Sequence, residues 1–247
     1  MSSELVVHES PKAPISEAIR LLRTNLSFMN GKRKNQVILL TSAAPGDGKS
    51  WVSANLAAAY AQSDKKVLLV DADLRKGRQH KIFGRFNTRG FSDFLQGVIG
   101  IEDDIELQAD ILMKSITTTE VKNLFLIPSG IVPPNPAELL DTDGLDTFLQ
   151  IVKQNFDVII FDAPPVSIVA DSLILCKKVD NVILVSAADV TKKDMLIEAK
   201  KSIQQVGGKI SGVVLNKMPV EKRKEYSKYY SHYSDELTAI SNKRSAK

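Results

Sequence analysis

Six short runs of this chain are apolar without a polar face: QVILLT (36–41), KVLLVDAD (66–73), LFLIPSG (124–130), DVIIFDAPP (157–165), NVILVSA (181–187) and KISGVVLNK (209–217). Runs of this length and composition predict strands buried on both sides, which a mostly parallel sheet with helices on both faces provides. The segments between them carry helical spacing. Ile15, Ala18, Ile19, Leu22 and Leu26 line one side of a predicted helix over 15–29. Further helices are predicted over 49–62, over 136–154 with a break near Gly144, and over 191–207, closed by Gly207 and Gly208. The expectation is an α/β fold, and such folds bind ligands at the carboxyl ends of their strands.

The 247 residues suit one large domain, which buries enough surface to need no covalent staples. Residues 1–14 are polar and contain Pro11 and Pro14, so they predict a flexible N-terminal arm. The folded domain is expected over 15–219. After Pro219 the apolar content collapses, and 220–247 predict a disordered tail. The single cysteine, Cys176, lies in the apolar run SLILCKK and reads as a small core residue in a reducing compartment. No apolar run reaches the roughly 18–20 residues of a membrane span, and the N-terminus lacks a signal-peptide pattern. A formal net charge of +4 suits an acidic partner or membrane surface without establishing nucleic-acid binding, and no nucleic-acid partner is expected.

The first strand runs into TSAAPGDGKSWVSANLA. Gly48-Lys49-Ser50, after a small-residue turn and before a helix, has the form of a P-loop ending. Backbone N–H groups of such a loop point at phosphate oxygens. Gly46 and Gly48 let the backbone come close, Lys49 supplies a point charge, and Ser50 offers a hydroxyl to Mg²⁺. The expected nucleotide-binding segment is Ala44, Pro45, Gly46, Asp47, Gly48, Lys49, Ser50 and Trp51. The strict pattern would place glycine at position 43, which is Ala43 here.

Two other strand ends carry acids. LLVDADLR places Asp71 and Asp73 after the second strand, and IIFDAPP places Asp162 after the fourth. Bare carboxylates gathered at one sheet edge are costly to bury, so a bound cation suits them better than three helix caps do. Mg²⁺ takes oxygen ligands and keeps several waters. The candidates for such a site are Ser50, Asp71, Asp73 and Asp162. Arg75 reads equally as an organiser of its loop and as a surface arginine. The sixth strand ends in Asn216-Lys217, where an asparagine can read a base edge. Pro219 stands where a guanine-specific motif needs an acid, which favours ATP over GTP.

These residues resemble the bacterial tyrosine kinases of capsule and exopolysaccharide assembly, most closely the Gram-positive cytoplasmic form. The resemblance spans nearly the whole chain. It rests on APGDGKS, on LLVDADLR as the extra Walker A′ motif, on IIFDAPP as Walker B, on EAIRLLR and on the C-terminal stretch EYSKYYSHYSDE. PPNPAELL (133–140) also resembles a family segment near the self-association surface. ParA/MinD-type ATPases share the expected fold, but their additional lysine falls at Ala44 here.

The resemblance implies a protein-tyrosine kinase using ATP and Mg²⁺. Lys49, Asp71 and Asp73 are the implied catalytic residues, with Asp71 as general base. Tyr226, Tyr229, Tyr230 and Tyr233 are the implied phosphoacceptors. Glu17, Arg20 and Arg23 are implied at the interface of a ring-shaped homo-oligomer; the plain reading of that spacing is an intrahelical ion pair. The implied partners are a membrane-anchored activator, or polysaccharide co-polymerase, and a cognate tyrosine phosphatase. The implied place is cytoplasmic, recruited to the inner face of the membrane. A partitioning-type ATPase and a nucleotide-gated adaptor for a membrane partner are the alternatives.

Overall fold

The computed structural model describes residues 4–31, 34–101 and 104–218. The elements run α1 (Val6–Glu9), α2 (Pro14–Asn30), β1 (Gln36–Ser42), α3 (Lys49–Ala61), β2 (Val67–Asp71), α4 (Gln79–Ile82), α5 (Phe91–Gly97), α6 (Ile105–Ser115), β3 (Thr117–Thr118), β4 (Leu124–Ile127), α7 (Pro136–Leu140), α8 (Asp143–Asn155), β5 (Val158–Asp162), α9 (Asp171–Cys176), β6 (Asn181–Ala187), α10 (Lys193–Gln205) and β7 (Ile210–Asn216). The seven strands order as β3-β4-β2-β5-β1-β6-β7. All neighbours pair in parallel except the short edge strand β3, which is antiparallel to β4.

Every residue of β1, β2, β5 and β6 is buried, as their unbroken apolar composition requires. One face is covered by α3, whose Val52, Leu56 and Ala59 pack with Ile38, Leu40, Leu69 and Ile160. α3 is itself overlaid by α2, so almost its whole circumference is buried; its alanines allow that close approach. The other face carries α5, α8 and α9 around an aromatic cluster. Phe148 meets Phe91 at 4.9 Å and Phe94 at 5.6 Å edge-on, and Phe161 of β5 at 5.9 Å.

The N-terminal segment departs from its expectation, and further short elements appear. The predicted arm is docked over residues 4–13: Leu5 and Val7 are buried, Val7 N–H donates to Asn55 Oδ1 (3.1 Å), and Asn55 Nδ2 donates to the Glu4 carbonyl (2.8 Å). The short apolar run Leu5-Val6-Val7 buries two of its side chains, and α3 offers a buried asparagine to satisfy the backbone. The helix over 136–154 is broken near Gly144 as expected, into two helices parted at Asp141-Thr142. Gly144 lies inside α8, where a Cβ would stand 2.9 Å from Val98 Cγ2, so its role is close packing. Five helices (α1, α4, α5, α6, α9) and β3 join the predicted elements; all are short or lack a sustained apolar period.

No described helix is long and apolar enough to cross a membrane. Cys176 and Tyr60 are buried. The predicted tail over 220–247, with all four cluster tyrosines, lies outside the described residues.

Candidate active site

The carboxyl ends of β1, β2 and β5 meet at one edge of the sheet. β5 lies between β1 and β2, so the loops after all three open onto the same cleft. The loop after β1 turns at Gly46 (φ 81°) and Gly48 (φ 91°), then enters α3 at Lys49. A Cβ on Gly48 would stand 2.1 Å from Asn216 Nδ2, so glycine serves both the left-handed turn and the close approach of β7's end. A cleft of about 790 Å³ opens here, lined by Pro45, Gly46, Gly48, Lys49, Ser50, Trp51 and Asn216 of the predicted set, with Asp73 and Arg75 opposite.

Ala44 and Asp47 belong to the same loop but are not among the residues lining the cleft. The Asp47 carboxylate is buried and faces the scaffold. It accepts from Ala44 N–H (3.0 Å), Ala187 N–H (3.3 Å) and Thr191 Oγ1 (2.5 Å), fastening the loop to the end of β6. Asn216 Nδ2 donates to the Asp47 carbonyl at 2.9 Å, so this asparagine braces the phosphate loop.

Lys49 Nζ lies 3.1 Å from Asp73 Oδ2 and 3.8 Å from Asp162 Oδ1. Burial opposes its charge, but Asp162 and Asp73 outweigh that and hold its proton affinity above the ordinary value. Asp71 and Asp162 are register partners across the β2–β5 ladder, and both are fully buried. Burial, together with the charge of Asp162, holds the Asp71 carboxyl well above the usual range, against the pull of Gln79 N–H and Lys49. Asp71 Oδ2 accepts from Gln79 N–H at 2.8 Å; Oδ1 is buried with no partner among the described residues.

Three residues of this framework carried no signal in the sequence. Gln79 sits in the polar stretch RKGRQHK, with no period to mark it, yet its side chain reaches Asp162. Asp171, which looks like an ordinary helix-start acid, takes both hydrogen bonds of Arg75. Arg75 is therefore an organiser of the loop after β2. Thr191 locks Asp47.

Glu17 and Arg20 form an ion pair within α2 at 3.0 Å, and Arg20 also donates to the Pro11 carbonyl. Arg23 donates to the Ala59 carbonyl of α3 (3.1 Å). The described contacts of all three residues thus lie within the chain.

The residues fit Mg-ATP. The left-handed glycines leave room for a phosphate backbone, and Lys49 is the cation beside it. The unpaired Asp71 Oδ1 and the acids around Lys49 form an oxygen-rich edge. Asp71, Asp73 and Asp162 converge on Lys49 as expected, although among the described residues no three His, Cys, Asp or Glu side chains form a metal cage. Mg²⁺ commonly binds through one or two carboxylates, waters and phosphates, and needs no such cage.

Comparisons with known proteins agree with this geometry. Residues 35–210 match the family described as an AAA domain. CapB of Staphylococcus aureus is 37% identical over 228 residues, 92% of this chain and 95% of CapB. Tyrosine-protein kinase YwqD of Bacillus subtilis strain 168 is 35% identical over 229 residues, 93% of this chain and 92% of YwqD. The crystal structure of the chimerical protein CapA2B2 shares 40% identity at a TM-score of 0.78, covering 89% of this chain and 92% of that one. With relatives alike over more than nine-tenths of both lengths, the chain belongs to the bacterial tyrosine-protein kinase family.

Proposed function

We propose that this protein is an autophosphorylating tyrosine kinase that uses Mg-ATP to modify Tyr226, Tyr229, Tyr230 and Tyr233. The observation that carries the reading is the placement of Lys49 between Asp73 and Asp162, directly after the Gly48 turn. Mg-ATP would supply the transferable phosphoryl group and the neutralisation of its charge. Lys49 and the loop amides hold the phosphates. Ser50, Asp73 and Asp162 orient the metal, some of them through water. Asp71 takes the proton of the incoming tyrosine hydroxyl on Oδ1, its oxygen without a hydrogen bond.

Lys217, one residue before the last described one, lines the cleft. Tyr226 follows Met218 by eight residues, which gives at most roughly 28 Å of reach. We favour transfer to a neighbour's tail within a ring. Leu21, Phe28 and Met29 are exposed on α2, the helix of Glu17, Arg20 and Arg23, and provide apolar surface for that contact. Phosphorylation reverses the tail's local charge near Lys222, Arg223, Lys224 and Lys228 and loosens the ring. A phosphatase resets the cycle. A membrane-anchored activator recruits the chain to the inner face of the membrane, where the cycle governs capsule or exopolysaccharide assembly. The partitioning-ATPase reading has less support, because Ala44 carries no charge toward a partner's nucleotide.

The test is labelled ATP and Mg²⁺, with and without the activator's cytoplasmic segment. Label on phosphotyrosine is expected, lost in Lys49→Met and largely lost when the four tail tyrosines become Phe. ATP turnover without protein label would reject the kinase reading. Label absent from a Lys49→Met chain mixed with a tail-less, intact-site chain would reject transfer in trans. An unchanged mass in Arg20→Ala/Arg23→Ala would reject the ring surface.

A further inference from the structure

Gln79 is fully buried at the start of the one-turn helix α4. Its backbone N–H donates to Asp71 Oδ2 (2.8 Å), and its side-chain Nε2 donates to Asp162 Oδ2 (2.8 Å) and to the Ser50 carbonyl (3.0 Å). One residue thus bonds to the acid after β2, the acid after β5 and the first turn of α3. The amide orientation follows from chemistry: a carboxylate and a carbonyl are acceptors, so the group facing both is the NH₂. The chain is drawn tight to make this reach. A Cβ on Gly77 would stand 2.9 Å from Asp71 Oδ2 and 2.1 Å from Ser129 Oγ, so only glycine passes there.

A glutamine serving only as core filling would satisfy itself on the scaffold. Here two of the three bonds end on the acids of the candidate active site, and Oε1 is left buried with no partner among the described residues. An unsatisfied buried acceptor is costly, and an apolar side chain of the same shape would avoid it. The donor end is therefore what the position needs.

Building on the kinase reading above, we propose that Gln79 is a positioning residue. It holds Asp71 and Asp162 at a fixed separation and ties both to Ser50, so that the metal-facing oxygens keep one arrangement. Asp71 and Asp162 are ladder partners, so two acids lie side by side at the end of the sheet. A neutral donor against Asp162, together with a backbone donor against Asp71, restrains both without adding a charge that would compete with a cation.

The test uses the full chain with Gln79→Met, close in shape but without a donor, and Gln79→Glu, close in shape and polar but with an acceptor facing Asp162. Binding of a fluorescent ATP analogue is titrated with Mg²⁺, and the phosphotransfer rate is measured at saturating ATP. Expected in Gln79→Met are nucleotide affinity without metal within about twofold of wild type, a Mg²⁺ half-saturation raised about tenfold, and a rate lowered about 10–100-fold with little change in KM for ATP. Gln79→Glu should be at least as impaired, since shape and polarity without the donor do not suffice. If either chain fails to fold, Gln79→Asn, which keeps the amide one carbon shorter, should give an intermediate Mg²⁺ half-saturation. A Mg²⁺ half-saturation within twofold of wild type in the folded variants would overturn the proposal. So would a Gln79→Glu chain closer to wild type than Gln79→Met. Because Mg²⁺-dependent nucleotide binding is read without phosphotransfer, it tests Gln79 even if the wild-type chain gives no phosphotyrosine, a result that would instead count against the kinase reading.

Discussion

Arg75 grips Asp171 through two side-by-side hydrogen bonds, Nε to Oδ2 at 3.1 Å and Nη2 to Oδ1 at 3.2 Å. The loop after β2 is thereby fastened to the first turn of α9. Asp171 is fully buried, while 41% of the Arg75 side chain is open to solvent. Arg75→Ala should therefore cost about 1–3 kcal/mol, below the figure for a fully buried pair because solvent screens the exposed partner. Arg75→Lys should restore only part of this, since one ammonium cannot make the two-pronged contact. Urea denaturation of the three chains measures it, and equal midpoints would show that the contact is not a structural tie.

Gly48→Ala tests the phosphate loop. The left-handed backbone at φ 91° and the 2.1 Å clash with Asn216 Nδ2 act together. The strain alone is about 1–2 kcal/mol. The loop should reshape to relieve it, weakening ATP-analogue binding at least tenfold while the fold persists by circular dichroism. Wild-type affinity would mean that the turn is not needed in this form.

Asn55 anchors the N-terminal segment by accepting from Val7 N–H and donating to the Glu4 carbonyl. Asn55→Ala leaves buried backbone groups without partners, at about 1–3 kcal/mol. Limited proteolysis read by mass spectrometry should show faster cleavage within residues 4–13 than in wild type. Equal cleavage would mean that Leu5 and Val7 hold the segment unaided.

Tyr60 supplies a pH prediction. Burial pushes its hydroxyl up to about 12 from an ordinary 10, and the hydroxyl donates to Gln36 Oε1 at 3.1 Å. The folded-state value is the higher one, so its stabilising contribution is complete below pH 10 and is lost as pH rises toward 12. The loss is about 2–3 kcal/mol over that window. Guanidinium denaturation at pH 9 and 11 should show a drop that Tyr60→Phe reduces. The same drop in Tyr60→Phe would place the sensitivity elsewhere.

The sequence by itself determined the architecture, because six apolar runs separated by helical segments admit a mostly parallel sheet, and all six are strands of one sheet; β1, β2, β5 and β6 are buried throughout, whereas β7 at the edge leaves Val213 and Leu215 exposed. It also determined the phosphate loop, since Gly46, Gly48, Lys49 and Ser50 are adjacent and their chemistry is local. The tertiary structure decided what depends on residues far apart in the chain. Asp47 looks like a ligand beside the P-loop, but Thr191 and Ala187 turn it toward the scaffold. Asn216 lines the cleft at the end of β7, and only the fold shows that it also braces the phosphate loop through the Asp47 carbonyl. Val7 sits in a run too short to show a period, and its burial is seen only in the fold, where Asn55 accepts from its N–H. Gln79 has no local pattern, and only the parallel pairing of β2 with β5 brings Asp71 and Asp162 within reach of one side chain. A local pattern records which face of an element is apolar; it does not record which distant polar group completes a hydrogen bond, and those pairings hold this site together.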